Sequence, residues 1–221
     1  MNRFFSLFAV LALCACQTHS GKPTITVVYS PTLDSACSLV RGGTIKEEWE
    51  TELASRKPEF ESLWTANDLK LIDATEAITG KSFPSGYFDA RLTLCNLPSQ
   101  SILGISVNMR YALKSFTPTP VSMRYKVDTL FHELLHIFLA AHPVKDSSLL
   151  KLYASEPERT RDHLHLLALQ KAILIRLNEP EALKDVIAID SQLPDGYYKR
   201  AWEIVNATDK EYLEYVAEIK R

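Results

Sequence analysis

Apolar residues fall along this chain in three regimes. Residues 4–13 are apolar almost without a break. The segment Thr24-Ile25-Thr26-Val27-Val28-Tyr29 is β-branched and aromatic and predicts a strand. Residues 31–43 lack a period and predict a loop, whereas Thr44-x-x-Glu47 has the form of a capping box opening a helix over 45–55. Pro58 suits the first turn of a second helix running to Thr79, where Gly80 stops it. Phe83-Pro84-Ser85-Gly86 is turn material, and residues 91–95 and 102–109 are short strand candidates. From residue 119 onward the pattern is helical almost throughout. One helix opens at Thr119-Pro120 and ends before Pro143, an apolar one covers 164–177, and three more cover 180–189, 195–205 and 210–219. The expected class is α+β: a small N-terminal β-sheet packed on a central helix, then a mostly helical C-terminal half, all within one domain over 24–221.

The central helix carries His132-Glu133-Leu134-Leu135-His136, an H-E-x-x-H motif. Val127, Phe131, Leu134 and Phe138 recur at helical spacing and form its core stripe. At 3.6 residues per turn His132 and His136 lie about 40° apart on the opposite side. Two imidazoles so placed can share one metal ion, and neutral imidazole suits zinc. Glu133 projects to one side of the pair, where it reaches a zinc-activated water without ligating the metal. That is the position of a general base.

The motif resembles that of the zincin metallopeptidases; the likeness covers five residues and the helix around them. It implies a zincin-like fold, a Zn2+ cofactor, Glu133 as catalytic base and a peptide or protein substrate, cell-wall material included. It also implies that an extended substrate pairs with the edge strand over 102–109. An oxyanion donor is expected from Tyr153, Tyr125 or His165, whereas Tyr197, Tyr198 and Trp202 read as packing. A third protein ligand is required, and four readings compete. His142 completes the histidine spacing of the metzincins, but Leu139 stands where that pattern has glycine and no Met-turn follows. Glu158, with Asp162, matches the E-x-x-x-D of the thermolysin-like gluzincins, yet Ser155-x-x-Glu158 is also a capping box. His163 opens a very apolar helix, where a histidine needs a partner, and it shares a helical face with Glu156 and Gln170. His165 shares another face with Glu158 and Asp162, and is read together with Glu156 and Asp162 as the fourth possibility. His163 is the ligand adopted alongside His132 and His136. The rival reading is a non-catalytic module of the same fold that binds or scaffolds.

Residues 1–15 predict a signal peptide: Arg3, the apolar run, then Leu13-Cys14-Ala15-Cys16, which resembles the bacterial lipobox. The resemblance implies cleavage before Cys16, which would carry the lipid, and a tether over 16–23. The protein would then be membrane-anchored in the cell envelope, facing the periplasm or exterior. Cleavage by the other signal peptidase would give a soluble secreted form. Cys37 and Cys95 are left as an even pair in an oxidising compartment and predict a disulfide, with two buried thiols as the alternative. With 46% hydrophobic and 24% charged residues the chain has the balance of a globular protein. Lys plus Arg number 25 against 27 acidic residues, which removes the electrostatic basis for nucleic-acid binding. Glycine is scarce and no phosphate-cradling motif occurs, which disfavours nucleotide sites; no G-x-S-x-G marks a serine nucleophile.

Overall fold

The computed structural model describes residues 21–102 and 104–221. The signal peptide over 1–15, the Cys16 lipidation site and most of the tether lie outside the described residues. The chain is α+β and mostly helical, and among the described residues no helix is long and apolar enough to cross a membrane.

Three strands, β1 (Thr24–Tyr29), β2 (Tyr87–Thr93) and β3 (Ile105–Asn108), form one sheet in the order β1-β2-β3, with both pairings parallel. The central strand and β3 bury Ala90, Leu92, Ile105 and Val107 against the helical layer. β2 begins earlier than the sequence pattern predicts and β3 is shorter, because the chain before Ile105 folds back on the sheet edge. There Gln100 and Ser106 exchange both backbone hydrogen bonds, at 2.8 and 3.0 Å. The Ser99 hydroxyl also accepts from the Asn108 amide. The outer edge of β3 is thus occupied by its own chain at these positions, and is not the open edge the resemblance implies.

Residues 31–43 are not a loop. They hold helix α1 (Pro31–Arg41), capped by the Ser30 hydroxyl and begun by Pro31. Its Leu33, Leu39 and Val40 are exposed, so no apolar stripe announces it. What holds it is tertiary. The buried Asp34 carboxylate accepts from the Thr93 hydroxyl and the Leu94 amide, and the Cys37–Cys95 disulfide ties α1 to the end of β2. The predicted helices over 45–55 and 58–79 are one, α2 (Glu47–Thr79), with Pro58 inside it. Leu53, Phe60, Trp64 and Leu71 are buried on both sides of the proline, and that continuous packing outweighs the hydrogen bond it removes, worth about 3 kcal/mol with the ring clash. The expected capping box is absent: Lys46 is the N-cap and makes no side-chain cap bond.

Helix α3 (Met123–Ala141) starts later than Thr119-Pro120, because the Ser122 hydroxyl accepts from the Tyr125 amide and caps it there. After the short α4 (Ser148–Leu152) come α5 (Glu158–Arg176), α6 (Pro180–Asp190), α7 (Tyr197–Val205) and α8 (Glu211–Lys220). α5 is the hub: it packs on α2, α3, α6, α7 and α8, and every residue from His163 to Gln170 is buried. α3 is in turn sandwiched between the sheet side, at β3, and α5 with α6. The histidine-bearing face of α3 is therefore an interior surface, with His132 and Glu133 both buried.

Candidate metal centre

Helical geometry puts His132 and His136 one turn apart on α3, with ring centroids 5.0 Å apart. The crossing of α5 over α3 brings His163 to the same point, 5.5 Å from the His132 ring and 5.1 Å from the His136 ring. One ring nitrogen from each of the three lies within 4.8 Å of the others, a group able to hold a metal ion.

The surrounding bonds fix the tautomers. Gln170, two turns beyond His163 on α5, is buried, and its Oε1 accepts from His132 Nδ1–H at 3.1 Å. His163 Nδ1–H donates to the Arg159 carbonyl at 2.6 Å. Both rings therefore carry the proton on Nδ1 and present an Nε2 lone pair toward the group, His132's being the acceptor of the Tyr198 hydroxyl, a bond a metal ion would have to displace; fixing the tautomer is the usual office of a second partner behind a metal-binding histidine. Burial and mutual repulsion hold the rings neutral. The His132 pKa falls well below its ordinary value, first through desolvation and then through its histidine neighbours, and His136 is pushed down to about 4. Desolvation lowers His163 as well. The donor set of three converging neutral imidazoles, two of them oriented from behind, fits a zinc-type ion.

Glu133 is 4% exposed beside this group, and burial raises its carboxyl to about 7, against the opposing pull of the Ser101 side chain. Glu133 and His132 face a cavity of about 330 Å³ between α3, the 98–99 turn, the end of α6 and α7. Asn108, Tyr111, Lys126, Asp190 and Arg159 also line it.

Tyr197 and Tyr198 are not packing alone. Both line the cavity, and the Tyr198 hydroxyl donates to His132 Nε2 at 3.2 Å. Trp202 does pack in the core, with its indole N–H on Asp190. The expected oxyanion donors are committed elsewhere. The Tyr125 hydroxyl donates to Asp190 at 2.8 Å, Tyr153 lies beside Tyr215, and His165 Nε2 bonds Glu218 at 2.9 Å.

The alternative third ligands do not converge. His142 Nε2 bonds the Ser82 carbonyl, with its ring against Phe138. Glu158 is exposed in the first turn of α5, and Pro157, not Ser155, is the N-cap. Glu156 pairs with Arg200 at 2.7 Å, Asp162 is exposed, and Glu218 retains His165. Gln170 was readable as a neighbour of His163 from the helical wheel, but its bond to His132 was not. Tyr198 carries no sequence signal beyond its aromatic type, since α7 reaches the site only through the tertiary packing of α7 on α5. Comparison with family models, with curated proteins and with solved structures finds nothing that matches this chain.

Proposed function

We propose that the chain is a zinc-dependent hydrolase, a peptidase of the cell envelope, with His132, His136 and His163 as the zinc ligands and Glu133 as general base. The observation that carries the reading is the convergence of three neutral histidines beside a buried carboxylate, with His132 and Glu133 of that group lining a cavity. Zinc held there would supply Lewis acidity, polarising a carbonyl and lowering the pKa of water toward neutrality. The chain's own groups do the rest. Glu133, with its carboxyl near 7, takes a proton from the attacking water on a carboxylate oxygen and hands it to the leaving nitrogen. With His132 Nε2 on zinc, the Tyr198 hydroxyl that otherwise donates to that nitrogen would be released, and it would then serve as the donor to negative charge developing on the carbonyl oxygen. Gln170 and the Arg159 carbonyl keep two of the imidazoles oriented. Residues of α6, α7 and the 98–99 turn complete the walls of the cavity.

The envelope location rests on the lipobox-like signal and on the Cys37–Cys95 disulfide, a bond of the kind that persists in oxidising compartments. A closed four-ligand shell would favour the non-catalytic module, and His142, the residue it needs, is held by Ser82.

The test is bound zinc per molecule in protein starting at Gln17. About one equivalent is expected in wild type, lost in His132→Ala and His163→Ala and kept in His142→Ala and Glu158→Ala. Glu133→Gln should keep zinc and lose peptide hydrolysis by at least a thousandfold. Absence of zinc after reconstitution at neutral pH would end the hydrolase reading.

A further inference from the structure

The cavity beside Glu133 contains a cation that the proposed chemistry does not use. Lys126 sits on α3 two helical turns before Glu133 and is only 5% exposed, yet it lines the cavity. Among the described residues its ammonium makes no hydrogen bond and no ion pair; it stands over the Tyr125 ring, 5.5 Å from the centroid. The carboxylates around it are already engaged. Asp190 accepts from the Tyr125 hydroxyl and the Trp202 indole N–H, acting on Lys126 only through its field. Asp128 is paired with Arg124 at 3.2 Å. Burial lowers the Lys126 pKa to about 8, so the group remains mostly charged at neutral pH. Another cation, Arg159, stands on the α5 wall of the cavity with its guanidinium over the Tyr197 ring. A buried, unpartnered ammonium aimed into a cavity gains most from an arriving anion, because both charges meet where water is scarce.

We propose that Lys126 is a specificity-determining residue that anchors a carboxylate of the substrate, so that the cavity takes peptides carrying a carboxylate about three residues from the scissile bond. The proposal rests on the peptidase reading of the histidine site. The spacing follows from geometry. Seven residues of α3 separate Lys126 from Glu133, about 10 Å along the axis, and an extended peptide covers roughly 3.3–3.6 Å per residue. The carboxylate comes either from a chain terminus or from an Asp or Glu side chain. The chemistry at Lys126 is the same for both.

The experiment uses zinc-loaded Glu133→Gln protein, which binds without turnover, and calorimetric titration with three probes. These are N-acetyl-tetraalanine as free acid, its C-terminal amide, and the amide of N-acetyl-Ala-Ala-Ala-Glu. At least one of the two carboxylate probes, the free acid or the Glu amide, is expected to bind at least tenfold more tightly than the alanine amide. Lys126→Met should collapse that preference to within twofold, and Lys126→Arg should retain most of it. Tight binding of the Glu amide would assign the carboxylate to a side chain, and weak binding would assign it to the terminus. Unchanged zinc stoichiometry and melting temperature in Lys126→Met establish that the variant is folded. Equal binding of all three probes, a carboxylate preference that survives Lys126→Met, or no binding of any probe by folded, zinc-loaded protein overturns the anchor. The peptidase reading fails separately, if zinc-loaded wild type binds the acid through Lys126 but hydrolyses none of the three.

Discussion

Gln170 offers the sharpest test of how the site is held. Its Oε1 is the acceptor for His132 Nδ1–H, at 3.1 Å, inside a region where Gln170 is 1% exposed. Replacing it with leucine keeps most of the volume and removes the acceptor. Two effects follow, of different size. The apo protein loses one buried hydrogen bond and leaves a donor unsatisfied, a cost of about 1–3 kcal/mol, but it also buries a hydrocarbon side chain where an amide stood, which recovers part of that. The net change in apo stability should stay near 1 kcal/mol. Zinc affinity should fall further relative to its starting value. Without Gln170 the His132 ring is free to carry its proton on Nε2, where Tyr198 already bonds it, and that tautomer cannot ligate through Nε2. Loss of such an orienting partner typically weakens metal binding 10–100-fold, equivalent to about 1.4–2.8 kcal/mol. The measurement is competition for zinc against a chromophoric chelator in wild type, Gln170→Leu and Gln170→Glu. Nitrogen-15 shifts of the apo histidine rings would report the tautomer. Gln170→Glu restores an acceptor and should bind zinc at least as tightly as wild type. An affinity in Gln170→Leu within threefold of wild type would show that Gln170 does not orient His132, and the argument from tautomers would fall with it.

Other consequences can be checked with standard material. Because burial holds His136 near pKa 4 and depresses the other two rings, protons compete with zinc only in acid, and zinc should remain bound at pH 5, where free imidazole is mostly protonated; equilibrium dialysis across pH 4–7 measures this. Glu218 accepts from Ser147, Ser148, His165 and the Leu149 amide, which holds its carboxyl down at about 2. Its folded pKa lies below the unfolded value near 4.3, so its contribution is complete above that value and fades as pH falls toward 2. Glu218→Gln should cost about 3 kcal/mol at pH 7 in urea unfolding, with the gap to wild type narrowing in acid. The Cys37–Cys95 bridge spans a sequence separation of 58, for which chain entropy gives up to about 4 kcal/mol; the double alanine variant should lose stability of that order while keeping its zinc stoichiometry. Phe138 is fully buried and packs against Phe83 with the rings tilted by 49°, so Phe138→Ala should cost about 3–5 kcal/mol in the same assay.

The parts legible from sequence are those governed by local periodicity. The spacing of His132, Glu133 and His136 depends only on the helix they occupy. Gly80 and Pro143 marked the C-terminal ends of α2 and α3 and Pro180 the start of α6, whereas Pro58 and Pro120 did not mark the helix starts expected of them. His163 was reachable for a second reason: a polar ring at the start of an apolar helix needs a partner, whatever that partner is. The failures share one cause, which is that tertiary contacts settled what local pattern could not. α1 has exposed Leu39 and Val40 and is held by Asp34 and a disulfide whose partners lie about sixty residues away. α2 passes through Pro58 because the buried residues on either side share one core.

The same distinction separates ligands from the residues that make them ligands. His132 and His136 follow from the helical period, but a working site also needs the right nitrogen of each ring presented, and that depends on α5. Gln170 and His163 are seven residues apart, two turns on one face of α5, so the packing that delivers the third histidine also delivers the acceptor that orients the first. Lys126 and Glu133 repeat this relation on α3, two turns apart on the cavity side. The cavity thus has its proposed base, its unpartnered cation and one proposed ligand, His132, on one rigid helix, and the third ligand lies on the helix that crosses it. A substrate spanning from Lys126 to Glu133 would be measured against α3 itself. Its length, and not only its chemistry, would then decide where it is cut.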